Sequence, residues 1–502
     1  MKSGICYLVG AGPGDIGLVT LKAKECLEKA DVLVYDALAN PELLSWVPDH
    51  CQKINAGKRA DNHILKQEET NELIVRLAKE GKTVVRLKGG DPMIFGRGGE
   101  EAAELAAAGV QYEIVPGISS AIAGPCYAGV PVTHRDHCSM LTLFTGHEDP
   151  TKGETSLDYA QLAKTPGTKV FLMGVKRMTE ISTTLIAEGA DPKTPISLTR
   201  WATTGRQRTI TGTLETIGQL VIDTGFKSPA VAVIGEVVKE REKINWFEES
   251  RPLLGQRIVT TRTRQQAGEM SKRLGALGAD VLEIPTIQIT EPDDMDQFRE
   301  FVTDVHKYDW LIFTSPNGVH RFFKEFFQTY TDARSIGGVK IAAIGPGTRD
   351  AIAEYRLGTD LLPKKFVAEG LVEEFSHHQI ENQTVLWVKA KESRKVVSEG
   401  LVKQGAIVDI CIAYQSIAET GDPTGNFARL QKEGADMITF TSASTAENFF
   451  AMEPDLPADC QIASIGPITS QALTKLGHAP HIESATSTIP AFVETIQKAI
   501  QG

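Results

Sequence analysis

The stretch GICYLVGAGPGDIGLVT, Gly4 to Thr20, decides how the first half of the chain is read. An apolar run enters a glycine cluster, and a helix-like pattern follows. A dinucleotide fingerprint would continue Gly10 and Gly12 with a third glycine at position 15, where it allows close packing of helix on strand. The chain has Asp15 there, and Pro13 lies inside the loop. Against that, the run VLVYD ends in Asp36, 26 residues after Gly10, near where an acidic residue would grip a ribose. An imperfect GxG is weak information, so the first forty residues leave a nicotinamide fold open.

Moving outward, two further apolar strands run into long loops rich in glycine and proline. VVRLKGGDPMIFGRGGEE spans Val84–Glu101, and VPGISSAIAGPCYAGVPVTHR spans Val115–Arg135. Backbone of this composition suits close approach to a ligand. These loops carry Lys88, Arg97, His134 and Arg135, and TRWATTGRQRTITGTL from Thr199 adds Arg200, Arg206 and Arg208. Solvated surface charge is the plain reading of such residues. Three glycine-rich loops that all bear cations favour an anion pocket.

The chain has 502 residues, which suggests three or four folding units. It is 41% hydrophobic and 23% charged, as expected of a globular protein. No run approaches the ~20 apolar residues of a membrane helix, and the N-terminus lacks a signal-peptide pattern. The expected location is the cytoplasm. A net charge of −11 argues against a nucleic-acid partner. Seven cysteines without a CxxC pair indicate reduced thiols, with no disulfide frame or zinc knuckle. His134 and His137 are three apart, but no Cys or carboxylate cluster joins them, so no metal is expected.

Strand-like and helix-like segments alternate throughout, which is an α/β pattern. Strands are expected at Ile5–Val9, Val32–Tyr35, Thr83–Leu87, Lys169–Met173, Ala230–Ile234, Ile258–Thr261 and Leu311–Thr314, with helices such as Leu18–Lys29, Thr70–Glu80 and Glu100–Ala108 between them. The charged stretch KEREKINWFEESRPLLG, Lys239–Gly255, separates two halves. The expected division is 1–240, a linker at 241–254, and 255–502.

The second half contains an internal repeat. QRIVTTR at Gln256 returns as QTVLWVK at Gln383, 127 residues later. LGADVLEIPTIQI at Leu277 matches QGAIVDICIAYQS at Gln404, and IFTSPNGVHRFF at Ile312 matches TFTSASTAENFF at Thr439, with the same offset. IAAIGPGTRDAI at Ile341 matches IASIGPITSQAL at Ile462, 121 residues on. Two similar α/β lobes with a ligand cleft between them are expected. Both copies put TS after an apolar strand, where hydroxyls and free N–H groups can hold carboxylates or simply cap the next helix.

Residues 1 to about 240 resemble the uroporphyrinogen-III C-methyltransferases. The resemblance is carried by VGAGPGDIGLVTLKA, VYDAL, GKR, LKGGDPMIFGRGGEE, VPGISSAIAGPCYAGVPVTHR, TRWATTGRQRTITGTL and SPAVAVIGEVV. It implies a two-lobed α/β tetrapyrrole methyltransferase that uses S-adenosyl-L-methionine, releases S-adenosyl-L-homocysteine, and needs no nicotinamide. The implied cofactor contacts are Pro13, Gly89, Gly90, Asp91, Ile94, Phe95, Ser119, Ser120, Met173, Ala202 and Ala230. Asp36 is the implied proton acceptor and Lys58 a proton donor or substrate clamp. Lys88, Arg97, His134, Arg135 and Arg59 are expected to hold the substrate's acetate and propionate groups. Members of this family are typically homodimers, so a homodimer through this half is expected. The dehydrogenase domain that precedes some relatives is expected to be absent, because the chain begins at the methyltransferase strand.

Residues 252–502 resemble uroporphyrinogen-III synthase more loosely, through the two-lobe repeat, FTSPNGV, AYQS, FTSAS and IGPIT. The resemblance implies closure of hydroxymethylbilane to uroporphyrinogen III with inversion of ring D. Thr314, Ser315, Thr441, Ser442 and Thr469 are expected on substrate carboxylates, and Tyr414 as an acid beside the leaving hydroxyl. Together the halves imply a bifunctional enzyme of tetrapyrrole biosynthesis, acting on small molecules and yielding precorrin-2, on a cobalamin or sirohaem route. The alternative is an active methyltransferase with a non-catalytic ligand-binding module behind it.

Overall fold

The computed structural model describes residues 4–57, 66–146, 157–262, 264–393, 395–419, 421–422 and 424–501. Among the described residues, twenty strands form four five-stranded sheets. The chain divides into two compact units. One comprises 1–284, 422–447 and 453–502, and the other 285–421 and 448–452.

The first sheet contains β1 (Ile5–Gly10), β2 (Val32–Tyr35), β3 (Gln52–Asn55), β4 (Thr83–Lys88) and β5 (Gln111–Val115), in the order β3-β2-β4-β1-β5 and all parallel. Successive side chains of a strand point to opposite faces, and here both faces are covered. Cys6, Leu8, Val34 and Val84 pack into one core, while Val9, Leu33, Val85 and Leu87 pack into another. That is why these strands read as unbroken apolar runs.

The second sheet contains β6 (Leu141–Thr145), β7 (Thr168–Leu172), β8 (Pro195–Arg200), β9 (Arg208–Thr213) and β10 (Ala230–Ile234), in the order β6-β7-β10-β8-β9. Only the β6–β7 pair is parallel. The helix Ser120–Tyr127 bridges the two sheets. A Cβ added at Gly124 would stand 2.5 Å from Val231 Cγ1 on β10, so glycine permits the close approach.

The third sheet joins β11 (Arg257–Thr260), β12 (Asp280–Glu283), β18 (Met437–Phe440), β19 (Gln461–Ser464) and β20 (Ile482–Glu483), in the order β12-β11-β18-β19-β20. The fourth joins β13 (Ile287–Thr290), β14 (Trp310–Phe313), β15 (Lys340–Ala343), β16 (Thr384–Ala390) and β17 (Ile407–Ala418), in the order β13-β17-β16-β14-β15. The 127-residue offset carries Trp310–Phe313 onto Met437–Phe440, and the 121-residue offset carries Lys340–Ala343 onto Gln461–Ser464. The two copies are nevertheless interleaved. Each lobe takes the first strand pair of one copy and the last pair of the other, so β12-β11-β18-β19 has the same order as β17-β16-β14-β15. Chain order conceals this exchange.

Residues 241–254, expected as a linker, are structured and attached to the first half. They form short helices at Arg241–Ile244 and Trp246–Glu249. The Trp246 indole N–H donates to the Cys126 carbonyl at 3.1 Å. Tyr127 packs edge-on to Trp246 and tilted against Phe247, with ring centres 5.0 and 4.8 Å apart. Arg241 ion-pairs with Glu248, which accepts from Gln207 and Thr209 at 3.0 and 2.7 Å. Several of the charges that suggested a solvated stretch are paired, Arg241 with Glu248 and Lys243 with Glu240.

Candidate active site

Three loops leave the carboxyl edge of the first sheet and meet at glycines. A Cβ at Gly10 would lie 2.5 Å from Gly117 N and 2.7 Å from Gly90 O, so no side chain fits there. Gly12 and Gly90 exchange backbone hydrogen bonds of 3.2 and 2.8 Å. Asp91 fixes the junction by accepting the Met93 and Gly117 N–H groups at 2.7 and 3.0 Å. Asp15, where the dinucleotide pattern wants glycine, accepts from Gly17 N–H at 2.8 Å and from the Tyr127 hydroxyl at 3.1 Å. Burial, then Asp15, pushes the Tyr127 phenol up to about 12. Asn40 donates to the Gly14 carbonyl at 2.7 Å.

The second sheet presents a matching edge. β7 and β8 run antiparallel to β10, so Met173, Ala202 and the start of β10 at Ala230 share one end. The edges are tied together where Asp15 N–H donates to Thr203 Oγ1 at 3.0 Å. Phe95, Arg97, Met173, Trp201 and Thr203 around these loops all have left-handed φ, between 46 and 70°. Such strain in non-glycine residues collects at ligand sites. Ile94, Phe95 and Met173 are 37, 41 and 48% exposed, an apolar rim over a glycine floor. Pro13, Gly89, Gly90, Asp91, Ser119 and Ser120 thus lie on the first edge, opposite Met173, Ala202 and Ala230 on the second. Ser119 Oγ also caps its helix, accepting Ala121 N–H at 3.2 Å. Backbone donors and acceptors, a water-excluding rim and a polar anchor fit an adenosyl-amino-acid ligand.

Asp36 follows β2, and the Arg86 guanidinium grips its Oδ1 at 2.7 Å. Arg86 is 3% exposed and also donates to Glu101 at 3.1 Å, while Glu101 is fully buried. Burial opposes the charge on Arg86, but Asp36 and Glu101 outweigh it and hold its pKa above the usual range. The Lys88 ammonium donates to Glu101 at 2.7 Å and stands 4.0 Å from Asp36. Burial, aided by Arg86, pushes the Lys88 pKa down. Lys88 is therefore not a free clamp for substrate carboxylates, as expected from sequence. With Arg86, Glu101 and Asp36 it makes a four-charge cluster from which only Asp36 emerges. Neither Arg86 nor Glu101 was singled out from sequence. The available signal was an arginine within the apolar strand TVVRLK, since a buried charge needs a partner.

The other expected substrate contacts are dispersed. Arg97 is exposed and bidentate to Glu100 at 3.0 and 2.7 Å. His134 accepts Asp136 N–H at 3.2 Å and lies tilted against His137, ring centres 4.8 Å apart, while Arg135 is exposed. His137 bonds Glu240 at 2.9 Å. Among the described residues, no group of three or more His, Cys, Asp or Glu is placed to hold a metal. The anion-pocket reading fails for two arginines. Arg206 faces Asp280 and Glu433, and Arg208 donates to the Thr224 carbonyl at 3.3 Å. Lys58 and Arg59 lie outside the described residues.

In the second half, Ser315 Oγ accepts Gly318 N–H at 3.1 Å and bonds the Tyr414 hydroxyl at 2.9 Å. Tyr414, expected as an acid facing substrate, is only 6% exposed, and burial raises its pKa. Its hydroxyl bonds half-buried Ser315 and also meets the Asn317 side chain. Thr314 accepts the Trp387 indole N–H at 3.3 Å. In the other unit, Ser442 Oγ accepts Thr445 N–H at 3.3 Å and Thr441 is half-buried. Thr469 is 4% exposed, inside the first turn of its helix, and so closed to a carboxylate. Ser315 and Ser442 both act as helix caps, the simpler of the two expected roles.

These observations define a class: a two-domain α/β enzyme, with a glycine-floored group-transfer cleft in the first half and an interleaved two-lobed domain in the second. Residues 6–218 match the family of Tetrapyrrole (Corrin/Porphyrin) Methylases, and 268–494 that of Uroporphyrinogen-III synthase HemD. The Porphyrin biosynthesis protein HemD of Ruminiclostridium josui is 34% identical over 99% of this chain and 98% of its own length. The S-adenosyl-L-methionine-dependent uroporphyrinogen III methyltransferase of Methanosarcina barkeri is 52% identical over 47% of this chain and 92% of its own. A Thermus thermophilus uroporphyrin-III C-methyl transferase solved with S-adenyl homocysteine is 38% identical, with a TM-score of 0.41, over 47% of this chain and 99% of its own. The chain belongs to the family in which a tetrapyrrole methylase is fused to a uroporphyrinogen-III synthase. None of its described helices is long and apolar enough to cross a membrane.

Proposed function

We propose that this bifunctional enzyme closes hydroxymethylbilane to uroporphyrinogen III in its second half. Its first half then methylates that product at C2 and C7 to give precorrin-2. The observation that carries the reading is Asp36, held at 2.7 Å by a buried guanidinium beside the glycine-floored cleft.

The first half would bind S-adenosyl-L-methionine along Pro13, Gly89–Asp91, Ile94, Phe95, Ser119, Ser120, Met173, Ala202 and Ala230. When bound, that group supplies an electrophilic methyl on a sulfonium. The pyrrole carbon is itself the nucleophile, so the chain's work is alignment and proton removal. The backbone of the Gly10, Gly90 and Gly117 junction sets the depth of the donor. Ile94, Phe95 and Met173 exclude water. The attacked carbon already carries a side chain and has no hydrogen to lose, so Asp36 accepts the proton that the macrocycle releases elsewhere after methyl transfer, and Arg86 holds and aims the carboxylate. Lys58 would donate a proton or clamp substrate, with Arg59, Arg97, His134 and Arg135 on the substrate carboxylates.

In the second half, Thr314 and Ser315 would bind carboxylates of the linear substrate, and Thr441 and Ser442 are proposed for the same role. Tyr414 would assist loss of the hydroxyl through Ser315. The enzyme works in the cytoplasm, as a homodimer through the first half.

Asp36→Ala is expected to lower methylation kcat by about 100-fold or more, the usual range for a lost general base, while S-adenosyl-L-homocysteine still binds. Normal turnover by this variant would remove Asp36 from the mechanism. Residues 252–502 alone are expected to yield isomer III from hydroxymethylbilane.

A further inference from the structure

Arg206 lies on the turn between β8 and β9 of the methyltransferase half. Its guanidinium stands 3.7 Å from Asp280 and 3.7 Å from Glu433, both on the first synthase lobe. Those carboxylates already hold Arg257 at 2.8 and 2.9 Å and Arg429 at 2.5 and 3.2 Å. Three guanidiniums share two carboxylates. Burial, with Arg429, pulls the Arg206 pKa down to about 10. The backbones also meet here. The Gly205 carbonyl accepts Gly255 N–H at 2.9 Å, and a Cβ at Gly205 would lie 2.3 Å from the Ala279 carbonyl carbon.

On its other side, Arg206 stacks over the Trp201 indole, 3.8 Å from the ring centre. Trp201 and Thr203 carry φ of 46 and 70°. Left-handed backbone is unfavourable for residues with a Cβ, so surrounding contacts must hold it. Gln207 supplies one by accepting Thr203 N–H at 2.8 Å. Thr203 Oγ1 in turn accepts the N–H of Asp15, at the end of the Pro13 loop, at 3.0 Å. Ala202, between the two strained residues, is one of the proposed cofactor contacts.

We propose that the first synthase lobe is a positioning element for the methyltransferase. Asp280 and Glu433, acting through Arg206 and Trp201, hold the 201–204 turn against the Pro13–Asp15 loop and so set affinity for the adenosyl ligand. This inference rests on the cofactor reading of those two loops. Coupling of this kind between sites commonly spans 5- to 150-fold in affinity, and a chain of packed side chains with one strained turn lies at the lower end.

The test is calorimetric titration of S-adenosyl-L-homocysteine into the full-length chain and two variants. Arg206→Met leaves two guanidiniums on two carboxylates, a balanced set that should fold. Asp280→Asn perturbs the contact from the synthase side. Both are expected to bind roughly five- to tenfold more weakly. The KM for S-adenosyl-L-methionine should rise in proportion, with methylation kcat and the rate of isomer-III formation nearly unchanged. Arg206→Lys should recover part of the loss. Wild-type affinity in both variants would overturn the coupling. So would a joint fall of both activities, which marks general destabilisation. If the wild-type chain binds no S-adenosyl-L-homocysteine, the cofactor reading itself fails.

Discussion

At the scale of single residues, the first half turns on four charges with little access to water. Arg86, Lys88 and Glu101 are buried, and Asp36 alone emerges. Removing one member of a buried ion set commonly costs about 3–5 kcal/mol, because its partners stay charged. Glu101→Gln is therefore expected to destabilise the first half by about that amount in denaturant titration. In the second half, burial raises the Tyr414 pKa, so the unfolded chain loses that proton first as pH climbs. Stability is thus lost above about pH 10, the ordinary tyrosine value. Tyr414→Phe should flatten that slope and cost about 1 kcal/mol at neutral pH, from the missing bond to Ser315. The glycine loops that the sequence marked are brought together in the structure, yet Lys88, assigned from sequence to substrate, is paired with Glu101. Pairing with Glu101, thirteen positions away, depends on where the helix Gly98–Ala107 lands, which local pattern does not contain.

Among elements, strands were the most legible. The apolar runs at Val32–Tyr35 and Ala230–Ile234 coincide with β2 and β10 to the residue. Glycine positions were legible as loops, but their reason appears only in three dimensions. At Gly10 an added methyl would meet backbone atoms of Gly117 and Gly90, none of which can swing aside. Gly10→Ala is expected to cost about 1–3 kcal/mol and to abolish S-adenosyl-L-homocysteine binding, measured by denaturant titration and calorimetry. The 241–254 segment misled because its charges suggested solvent. Trp246 and Phe247, seated on Tyr127, decide its placement instead.

Across the whole molecule, the repeat was visible and its exchange was not. Matching blocks at constant offset reveal two copies, but which strands pair is a long-range matter. Because each lobe needs strands from both copies, one copy cannot complete a sheet. Residues 252–382 are expected to remain unfolded by circular dichroism, and 252–502 to fold. Residues 1–250 should keep methylation with a raised KM, having lost the contact at Arg206. The most direct test of the account supplies hydroxymethylbilane to the full-length chain, with and without S-adenosyl-L-methionine, and resolves the products. The account predicts uroporphyrinogen III alone without the methyl donor, and a doubly methylated product with it. Isomer I formed at the spontaneous rate, or no methyl incorporation, would contradict it.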